Sequence, residues 1–288
     1  MKWDVVLDTD AFNEIDDQYA LAYLLASDCC VRAIYAAPFL NKTVQSPAEG
    51  MAKSYAEVVK ILSLTGKKNI PVFLGSEKYL PSDTEFVESQ AARHLVELSR
   101  EYSSEKRLQV VSIGAITNVA SAILMDPSIC DRIRVIWLGG NMAGFWSPWE
   151  FNLQQDPASA RVIFGSKVPV VSLPCGGVVA EYRTTSPELH YWLDNQNPVC
   201  DYLLDMTEFF MSRGEAYFPW SRVLWDVVAV AYLFNEDNCF MRTEIKKAPY
   251  VPDDLKITYP ENGKDIECVF EIFRDKIYQD MVRKLRTY

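Results

Sequence analysis

Five carboxylates lie close together near the start of the chain, between two apolar segments. They are Asp8, Asp10, Glu14, Asp16 and Asp17. Residues 3–9 have the composition of a buried strand, and residues 16–27 carry apolar side chains at helical spacing. Packed carboxylates repel one another, so such a group needs protons or a cation to neutralise it. Donors that are all oxygen favour a hard divalent ion, calcium or magnesium.

The acidic loop also has simpler interpretations, and its sequence separates some of them. A solvated turn with a helix cap needs one acid rather than four, although Asp16 and Asp17 would suit the positive end of a helix dipole. An EF-hand loop counted from Asp8 does not fit, because Asn13 and Tyr19 stand where Gly and Glu belong.

A phosphohydrolase with an aspartate nucleophile is a second enzymatic interpretation. Asp8 or Asp10 would attack phosphorus, and magnesium would be the metal. The signature Asp-x-Asp-x-Thr/Val has Phe12 at its last position, which weakens the match. The lysine and the Ser/Thr that this chemistry needs have candidates in Lys167 and Ser112.

Apolar runs of strand length alternate with helical patterns along most of the chain. This alternation predicts an α/β fold, a mostly parallel Rossmann-like sheet flanked by helices, with a helical C-terminal part. Ligands bind at the carboxyl ends of strands in such sheets, which is where Asp8 and Asp10 fall. The predicted strands are residues 3–9, 31–38, 70–75, 108–114, 134–140 and 168–174, with short ones near 239–241, 250–251 and 268–270. The predicted helices are residues 16–27, 51–63, 89–102, 118–125, 201–213, 225–234 and 275–285, and one that starts after Asp156.

Length and composition predict one domain over residues 1–288. A formal net charge of −10, without a dense Lys/Arg cluster, argues against nucleic acid as a partner. No apolar stretch reaches the roughly 20 residues of a membrane span, and acidic residues come too early for a signal peptide.

Seven cysteines without a Cys-x-x-Cys pattern predict reduced thiols in a cytoplasmic protein. The two histidines lack partners at ligand spacing, so neither zinc nor a His-dependent nucleophile is expected.

Five short segments, taken in order, resemble the calcium-dependent nucleoside hydrolases of the inosine–uridine preferring family. The segments are Asp8-Thr9-Asp10 with Asp16-Asp17, Gly114–Asn118, Leu138-Gly139-Gly140, Glu150-Phe151-Asn152 with Asp156-Pro157, and Trp225-Asp226. The first segment lacks the family's usual Pro-Gly and has a longer loop, residues 11–15. Where the family often has Asn-x-Thr-Pro, this chain reads AGFWSPW, so the part of the site for the 5′ side of a substrate departs from the pattern.

By this resemblance the protein hydrolyses the N-glycosidic bond of ribonucleosides to free base and ribose. Calcium would be held by Asp10, Asp17, Asp226 and the backbone carbonyl of Thr117. Asp10 would also be the base that takes a proton from calcium-bound water. The local excess of aspartate would stabilise the positive charge that develops on the ribosyl group. Taken alone, Asp226 and Thr117 are also consistent with simple helix caps.

The resemblance also assigns substrate contacts. They are Asp16 and Asn41 for the ribose hydroxyls, Glu150 and Asn152 for the 5′-hydroxyl side, and Trp225 for the base. Asn41 has an alternative as a turn residue, and Glu150 as a solvated loop acid. Asp8 is expected to orient the loop, and Glu14 to lie at the surface.

The residue before Asp226 distinguishes this chain from many members of the family. Those members have His before the corresponding metal-binding aspartate, where it protonates the leaving base. This chain has Trp225 there, and an indole does not donate a proton usefully at pH 7. An aromatic residue here resembles the purine-preferring branch, in which the ring stacks on the base, so purine nucleosides and purine salvage are expected. The alternative is that Trp225 packs in the core. The missing His leaves a non-catalytic, calcium-dependent nucleoside or sugar binder as a further alternative. The resemblance also implies a homodimer or homotetramer.

Overall fold

The structure is a computed structural model that describes residues 3–212 and 221–288. Eight of its strands form one sheet in the order β3-β2-β1-β4-β5-β6-β10-β9, and β7 and β8 form a separate antiparallel pair. Within the eight-stranded sheet only β9 runs antiparallel to its neighbour, as far as the described residues extend. The strands are β1 (Asp4–Thr9), β2 (Cys30–Ala36), β3 (Val72–Leu74), β4 (Leu108–Ser112), β5 (Ile133–Leu138), β6 (Val170–Leu173), β7 (Arg183–Thr184), β8 (Arg222–Val223), β9 (Met241–Lys247) and β10 (Asp265–Ile272).

Helices cover both faces of this sheet. They are α1 (Asp16–Leu25), α2 (Pro47–Leu64), α3 (Gln90–Ser99), α4 (Thr117–Met125), α5 (Phe151–Gln155), α6 (Pro157–Gly165), α7 (Ser186–Leu193), α8 (Pro198–Ser212), α9 (Trp225–Tyr232) and α10 (Arg274–Leu285). Successive side chains of β1 point to opposite faces, so Val5 and Leu7 pack under α1 and α9, while Val6 packs under α3 and α4. The central strands are therefore apolar on both faces, as a covered parallel sheet requires.

The strand order reverses direction between β1 and β4. From β1 the chain proceeds outwards through β2 and β3, and it then returns to place β4, β5 and β6 on the other side. A crevice opens outside the carboxyl ends of the strands at such a reversal, and ligands of doubly wound folds bind there. The acidic loop leaves the carboxyl end of β1 and so lies at this crevice.

The predicted α/β class is confirmed, and the differences concern element ends and a few short elements, among them the β7–β8 pair, which was not predicted. The helix predicted from residue 51 begins at Pro47, because the Ser46 side chain caps it by accepting a hydrogen bond from the Glu49 amide at 3.2 Å. Near residue 250 the structure has only one isolated bridge, between Tyr250 and Thr258. Of the helix predicted at 201–213, Arg213 lies outside the described residues.

Two further sequence predictions concern cysteines and membrane spans. All seven cysteines lie in the described part of the chain and are free thiols. Within residues 3–212 and 221–288, no helix combines the length and the apolar character that crossing a bilayer demands.

Candidate active site

Asp8 lies beneath the crevice and holds the central strands together. Its buried carboxylate accepts hydrogen bonds from Ser112 Oγ at 2.9 Å and from Asn118 Nδ2 at 2.8 Å. These bonds connect β1 to β4 and to α4. Burial raises the pKa of Asp8 to about 7, although both hydrogen bonds act to lower it. That Asp8 orients the loop that follows it stays a prediction, which these bonds support.

Asp10 begins the acidic loop and is almost completely buried. Its backbone carbonyl accepts hydrogen bonds from the amides of Phe12 and Asn13, which turn the chain sharply. Its carboxylate packs against Gly114 after β4, where a Cβ atom would lie 3.0 Å from Asp10 Cγ. Among the described residues, no group donates a hydrogen bond to Asp10 Oδ2. An unsatisfied buried oxygen is costly, so this atom is suited to an external ligand.

Asp16, Asp17 and Asp226 form the centre of the site. One carboxylate oxygen from each lies within 4.8 Å of the others, and all three side chains are buried. Asp16 and Asp17 open α1, Asp226 lies in the first turn of α9, and these two helices pack together. Asp17 also accepts a hydrogen bond from Thr9 Oγ1 at 2.5 Å. Neither helix has a side-chain cap, so Asp226 is not the simple N-cap that its position allowed.

The electrostatics of this cluster favour proton or cation binding. Burial first, and then Asp17 and Asp16, raise the pKa of Asp10 well above its ordinary value. Burial and neighbouring acids also raise the pKa of Asp16 and of Asp226, and burial raises that of Asp17 to about 6. The four aspartates supply only oxygen donors, which a hard divalent cation prefers. The unsatisfied Oδ2 of Asp10, which lines the same cleft, is a further oxygen donor of this kind.

The aspartates face a cleft of ≈ 530 Å³. Trp225 precedes Asp226, is half-buried and lines the same cleft. Phe145, Trp146 and Trp149 line it as well. The cleft therefore combines a carboxylate cluster with aromatic walls, which is typical of a site that binds a polar sugar joined to a flat group.

Glu150 is buried at the cleft wall rather than solvated. It caps α5 by accepting hydrogen bonds from the amides of Asn152 and Leu153, both at 2.9 Å, and it accepts another from the Gly140 amide at 2.7 Å. Asn152 donates from Nδ2 to two carbonyls at the ends of β4 and β5, at 3.1 and 3.0 Å. Both side chains line the cleft while they tie the strand ends together.

Asn41 and Thr117 are not among the described residues that line the cleft. Asn41 donates from Nδ2 to Asn13 Oδ1 at 2.9 Å, and Asn13 in turn lines the cleft. Thr117 is the first residue of α4 and its hydroxyl donates to Asp156 Oδ2 at 2.7 Å, so it does not cap α4. Asp156 caps α6 as predicted, because its Oδ1 accepts from the Ser159 amide at 3.0 Å.

Glu14 and Arg222 form an ion pair that the sequence did not indicate. Glu14 lines the cleft, and its partner reaches it from β8, across more than two hundred residues. Arg222 also acts to lower the pKa of Asp16. The only feature of the sequence that could have drawn attention to Arg222 is its position three residues before Trp225. That spacing does not reveal a contact with a loop near the start of the chain.

The residues required by the phosphohydrolase interpretation are not brought together. Lys167 is exposed before β6 begins, at the amino edge of the sheet, whereas Asp8 lies near the carboxyl edge. Ser112 is occupied by its hydrogen bond to Asp8. The geometry therefore favours sugar chemistry over phosphoryl transfer.

Comparison with known proteins points to the same chemistry. A sequence model described as inosine-uridine preferring nucleoside hydrolase matches residues 5–252. A pyrimidine-specific ribonucleoside hydrolase, RihA, of Enterobacter sp. (strain 638) is 26% identical over 263 residues, covering 81% of this chain and 79% of that protein. RihA of Salmonella typhi is 27% identical over 260 residues, covering 81% of this chain and 80% of that protein.

Solved structures share the fold. A plant nucleoside hydrolase superposes with a TM-score of 0.80 at 19% identity and covers 100% of both chains. A purine-preferring ribonucleoside hydrolase from Gardnerella vaginalis superposes with a TM-score of 0.76 at 20% identity, covering 99% of this chain and 98% of that one. At these identities the likeness establishes the architecture alone.

Proposed function

This chain belongs to the inosine-uridine preferring nucleoside hydrolase family and is a ribonucleoside hydrolase, and from that premise we propose that it works with bound calcium and favours purine nucleosides. The reaction joins water to the anomeric carbon of the ribosyl group as the bond to the base nitrogen breaks. The base leaves with the bonding electron pair and takes up a proton. Free base and ribose are the products.

The observation that carries the calcium proposal is the group of three buried aspartates, Asp16, Asp17 and Asp226, in the same cleft as the unsatisfied oxygen of Asp10. Asp10, Asp17 and Asp226, with the backbone carbonyl of Thr117, would hold the ion. Bound calcium supplies positive charge that lowers the pKa of a neighbouring water and attracts hydroxyl oxygens. All-oxygen ligands and high negative charge support calcium over softer metals.

The chain's own residues divide the remaining work. Asp10 accepts the proton of the attacking water, because its carboxylate is desolvated and close to the cluster. Asp16 accepts hydrogen bonds from the ribose hydroxyls. The surrounding carboxylates stabilise the positive ribosyl group of the transition state more than the neutral substrate.

Three further residues shape the sugar end of the cleft. Asn41 holds Asn13 at the cleft by the hydrogen bond between their side chains. Glu150 and Asn152 contact the side of the ribose that bears C5′, where both line the cleft. Their bonds to backbone amides and carbonyls fix their orientation, so the wall they form is rigid.

The proposed preference for purine bases rests on Trp225. It lines the cleft and is half-buried, which leaves part of its ring for stacking. A purine offers a larger ring surface than a pyrimidine and so gains more from such a contact. The curated relatives above bear a pyrimidine-specific name and one structural neighbour a purine-preferring name, so base preference varies among similar proteins.

A nucleoside panel scored for reducing sugar, with and without a chelator, tests these proposals. We expect base release from purine ribonucleosides that stops on chelation and returns with calcium. Trp225→Ala should lower kcat/KM for purines by about tenfold and for pyrimidines by less. The exposed Trp192→Ala on α7 is the matched control. Full activity after exhaustive chelation would exclude calcium, and equal effects on both base classes would exclude stacking by Trp225.

A further inference from the structure

Two tryptophans stand exposed at the mouth of the catalytic cleft. Trp146 is 87% and Trp149 63% exposed, and both line the cleft together with Phe145. They belong to residues 142–149, between β5 and α5, a segment called the aromatic rim below. Indole rings are costly to leave in water, and a contiguous exposed group beside a binding cleft marks an interaction site.

The aromatic rim is held in place by Asn141. The Asn141 amide donates to the backbone carbonyls of Ser147 and Trp149, both at 3.0 Å, and its Oδ1 accepts from the Gly176 amide at 2.8 Å. One side chain thereby ties Ser147 and Trp149, in the part of the segment that carries both tryptophans, to the chain that follows β6. These bonds reduce the conformational entropy that the rim would lose when a ligand binds.

Phe145 anchors the rim from below. A Cβ atom at Gly176 would lie 2.4 Å from the Phe145 ring, and one at Gly177, whose φ is +90°, would lie 3.5 Å from it. The glycine pair after β6 thus provides the space into which Phe145 packs. The ring of Trp146 lies 5.6 Å from that of Phe145, between centroids. The rim is therefore a supported platform whose outer rings remain exposed.

Polar side chains next to the rim are committed to the protein's own backbone. Glu150 accepts three backbone hydrogen bonds, and Asn152 and Asn141 each donate two to carbonyls. A ligand group at this wall meets aromatic rings, and the amide donors of Asn141 and Asn152 are already engaged. The wall therefore suits an apolar or aromatic group better than a hydroxyl.

The rim lies beyond the part of the cleft that holds the reacting sugar. Asp10 follows β1, the rim follows β5, and β4 lies between these strands. Two strand spacings separate them, roughly 10 Å along the carboxyl edge of the sheet. A ligand whose ribose is at the aspartates therefore needs an additional group to reach the rim.

We propose that the aromatic rim is a subsite for an apolar or aromatic substituent on C5′ of the ribosyl group, so that the preferred substrates are 5′-substituted ribonucleosides. The inference rests on the proposed function, in which the base leaves C1′ beside Trp225 and the C2′ and C3′ hydroxyls meet the aspartates. C5′ is then the remaining position that can carry a further group. The substituent takes no part in the reaction and stays on the released sugar.

Matched pairs of nucleosides test the substrate class. Each pair has the same base and differs only at C5′, which carries either the hydroxyl or a benzylthio group. We expect kcat/KM about tenfold higher for the benzylthio member, the effect of one good aromatic contact. Trp146→Ala and Trp149→Ala should each reduce this ratio towards one, and Asn141→Ala should do so by releasing the rim. Trp192→Ala should leave the ratio unchanged. A wild-type ratio of one or less, or a ratio unaffected by both rim variants, overturns the proposal.

A binding measurement separates this inference from the proposed function. The probe is 5-benzylthio-5-deoxyribose, which has no base to release, with ribose as its control, and binding is followed by quenching of tryptophan fluorescence. Tighter binding of the probe that is lost in Trp146→Ala supports the subsite even if no nucleoside is hydrolysed, a result that would refute only the proposed function. Hydrolysis of nucleosides together with equal binding of probe and ribose would refute the subsite alone.

Discussion

Buried aspartates occur in two regions of this protein, and their surroundings are opposite. Asp280 on α10 is buried and accepts hydrogen bonds from Tyr23 at 2.5 Å, from Lys284 at 2.6 Å and from Arg283. Burial alone would raise the pKa of Asp280, but the bonds from Lys284 and Tyr23 outweigh it and the net shift is downward. This structural carboxylate is thus paired with cations of its own helix.

The aspartates of the cleft have no comparable cationic partners among the described residues. Asp10, Asp16 and Asp226 have pKa values raised by burial and by one another, and Asp10 Oδ2 is unsatisfied among the described residues. Arg222, the arginine whose charge acts to lower the pKa of Asp16, is paired with Glu14. Under the proposed function the balancing cation comes from outside, which is expected of a functional site rather than a structural one.

The largest expected effect comes from Asp10→Asn. This change keeps the shape of the side chain but removes the proton acceptor, so turnover should fall by about 10²–10⁴-fold. Without divalent ions the variant should be at least as stable as the wild type, since one repulsive buried charge is gone. Initial rates of sugar release and thermal melts in chelator measure the two quantities. Wild-type turnover would remove Asp10 from the mechanism, and a large loss of stability would make it a structural residue like Asp280.

The second prediction concerns pH and divalent ions. The pKa values of Asp17, about 6, and Asp8, about 7, exceed the ordinary 3.8, so the folded state binds protons more tightly than the unfolded state between those limits. Without a cation, stability should therefore fall as the pH rises from 4 to about 7, by on the order of a few kcal/mol. Asp280 has the opposite sign, and its contribution should be lost only in acid.

Calcium should cancel most of that loss, because it binds the charged carboxylates of the folded state alone. Melting curves at pH 5 and pH 8, each with chelator and with calcium, provide the test. The stabilisation by calcium should be larger at pH 8. An equal stabilisation at both values, or none, contradicts a cation site in the cluster.

The third prediction applies to the structural acid. Asp280→Asn should lower the free energy of unfolding by about 1–3 kcal/mol, because Lys284 and Arg283 lose their buried charged acceptor. Turnover and calcium affinity should stay at wild-type values, since α10 contributes no residue to the cleft lining described above. Chemical denaturation and metal titration measure these outcomes. A loss of calcium affinity would show that the two acidic regions are coupled.

The difference between the two regions was only partly accessible from sequence. Asp280, Arg283 and Lys284 are spaced i, i+3 and i+4, so their pairing follows from helix geometry alone. Strand–helix alternation likewise predicts the parallel sheet, and with it the position of Asp10 at a carboxyl edge. Local periodicity carries these conclusions because neighbours in sequence determine them.

Contacts between distant segments were not accessible in the same way. The meeting of Asp226 with Asp17 depends on how α1 and α9 pack, and only the resemblance to a family predicted it. The resemblance assigned Asp16 to the ribose hydroxyls rather than to the metal, whereas Asp16 belongs to the same group of carboxylates. Nothing in the sequence indicated that Glu14 meets Arg222, since no periodicity links residues so far apart. The sequence also did not indicate that Glu150 accepts three hydrogen bonds. Its partners are backbone amides, and no residue type encodes their orientation.

The prediction with the smallest expected effect asks whether an aspartate of the cleft can be given a cationic partner, as Asp280 has. Glu14→Gln removes the partner of Arg222, which then becomes available to the Asp16 carboxylate. Calcium affinity should fall by about two- to fivefold, since the pair is partly exposed and screened by water. Glu14→Gln combined with Arg222→Gln should recover part of that loss, because the competing cation is then absent. If the double variant binds calcium as weakly as the single one, Glu14 acts by its own charge rather than by occupying Arg222.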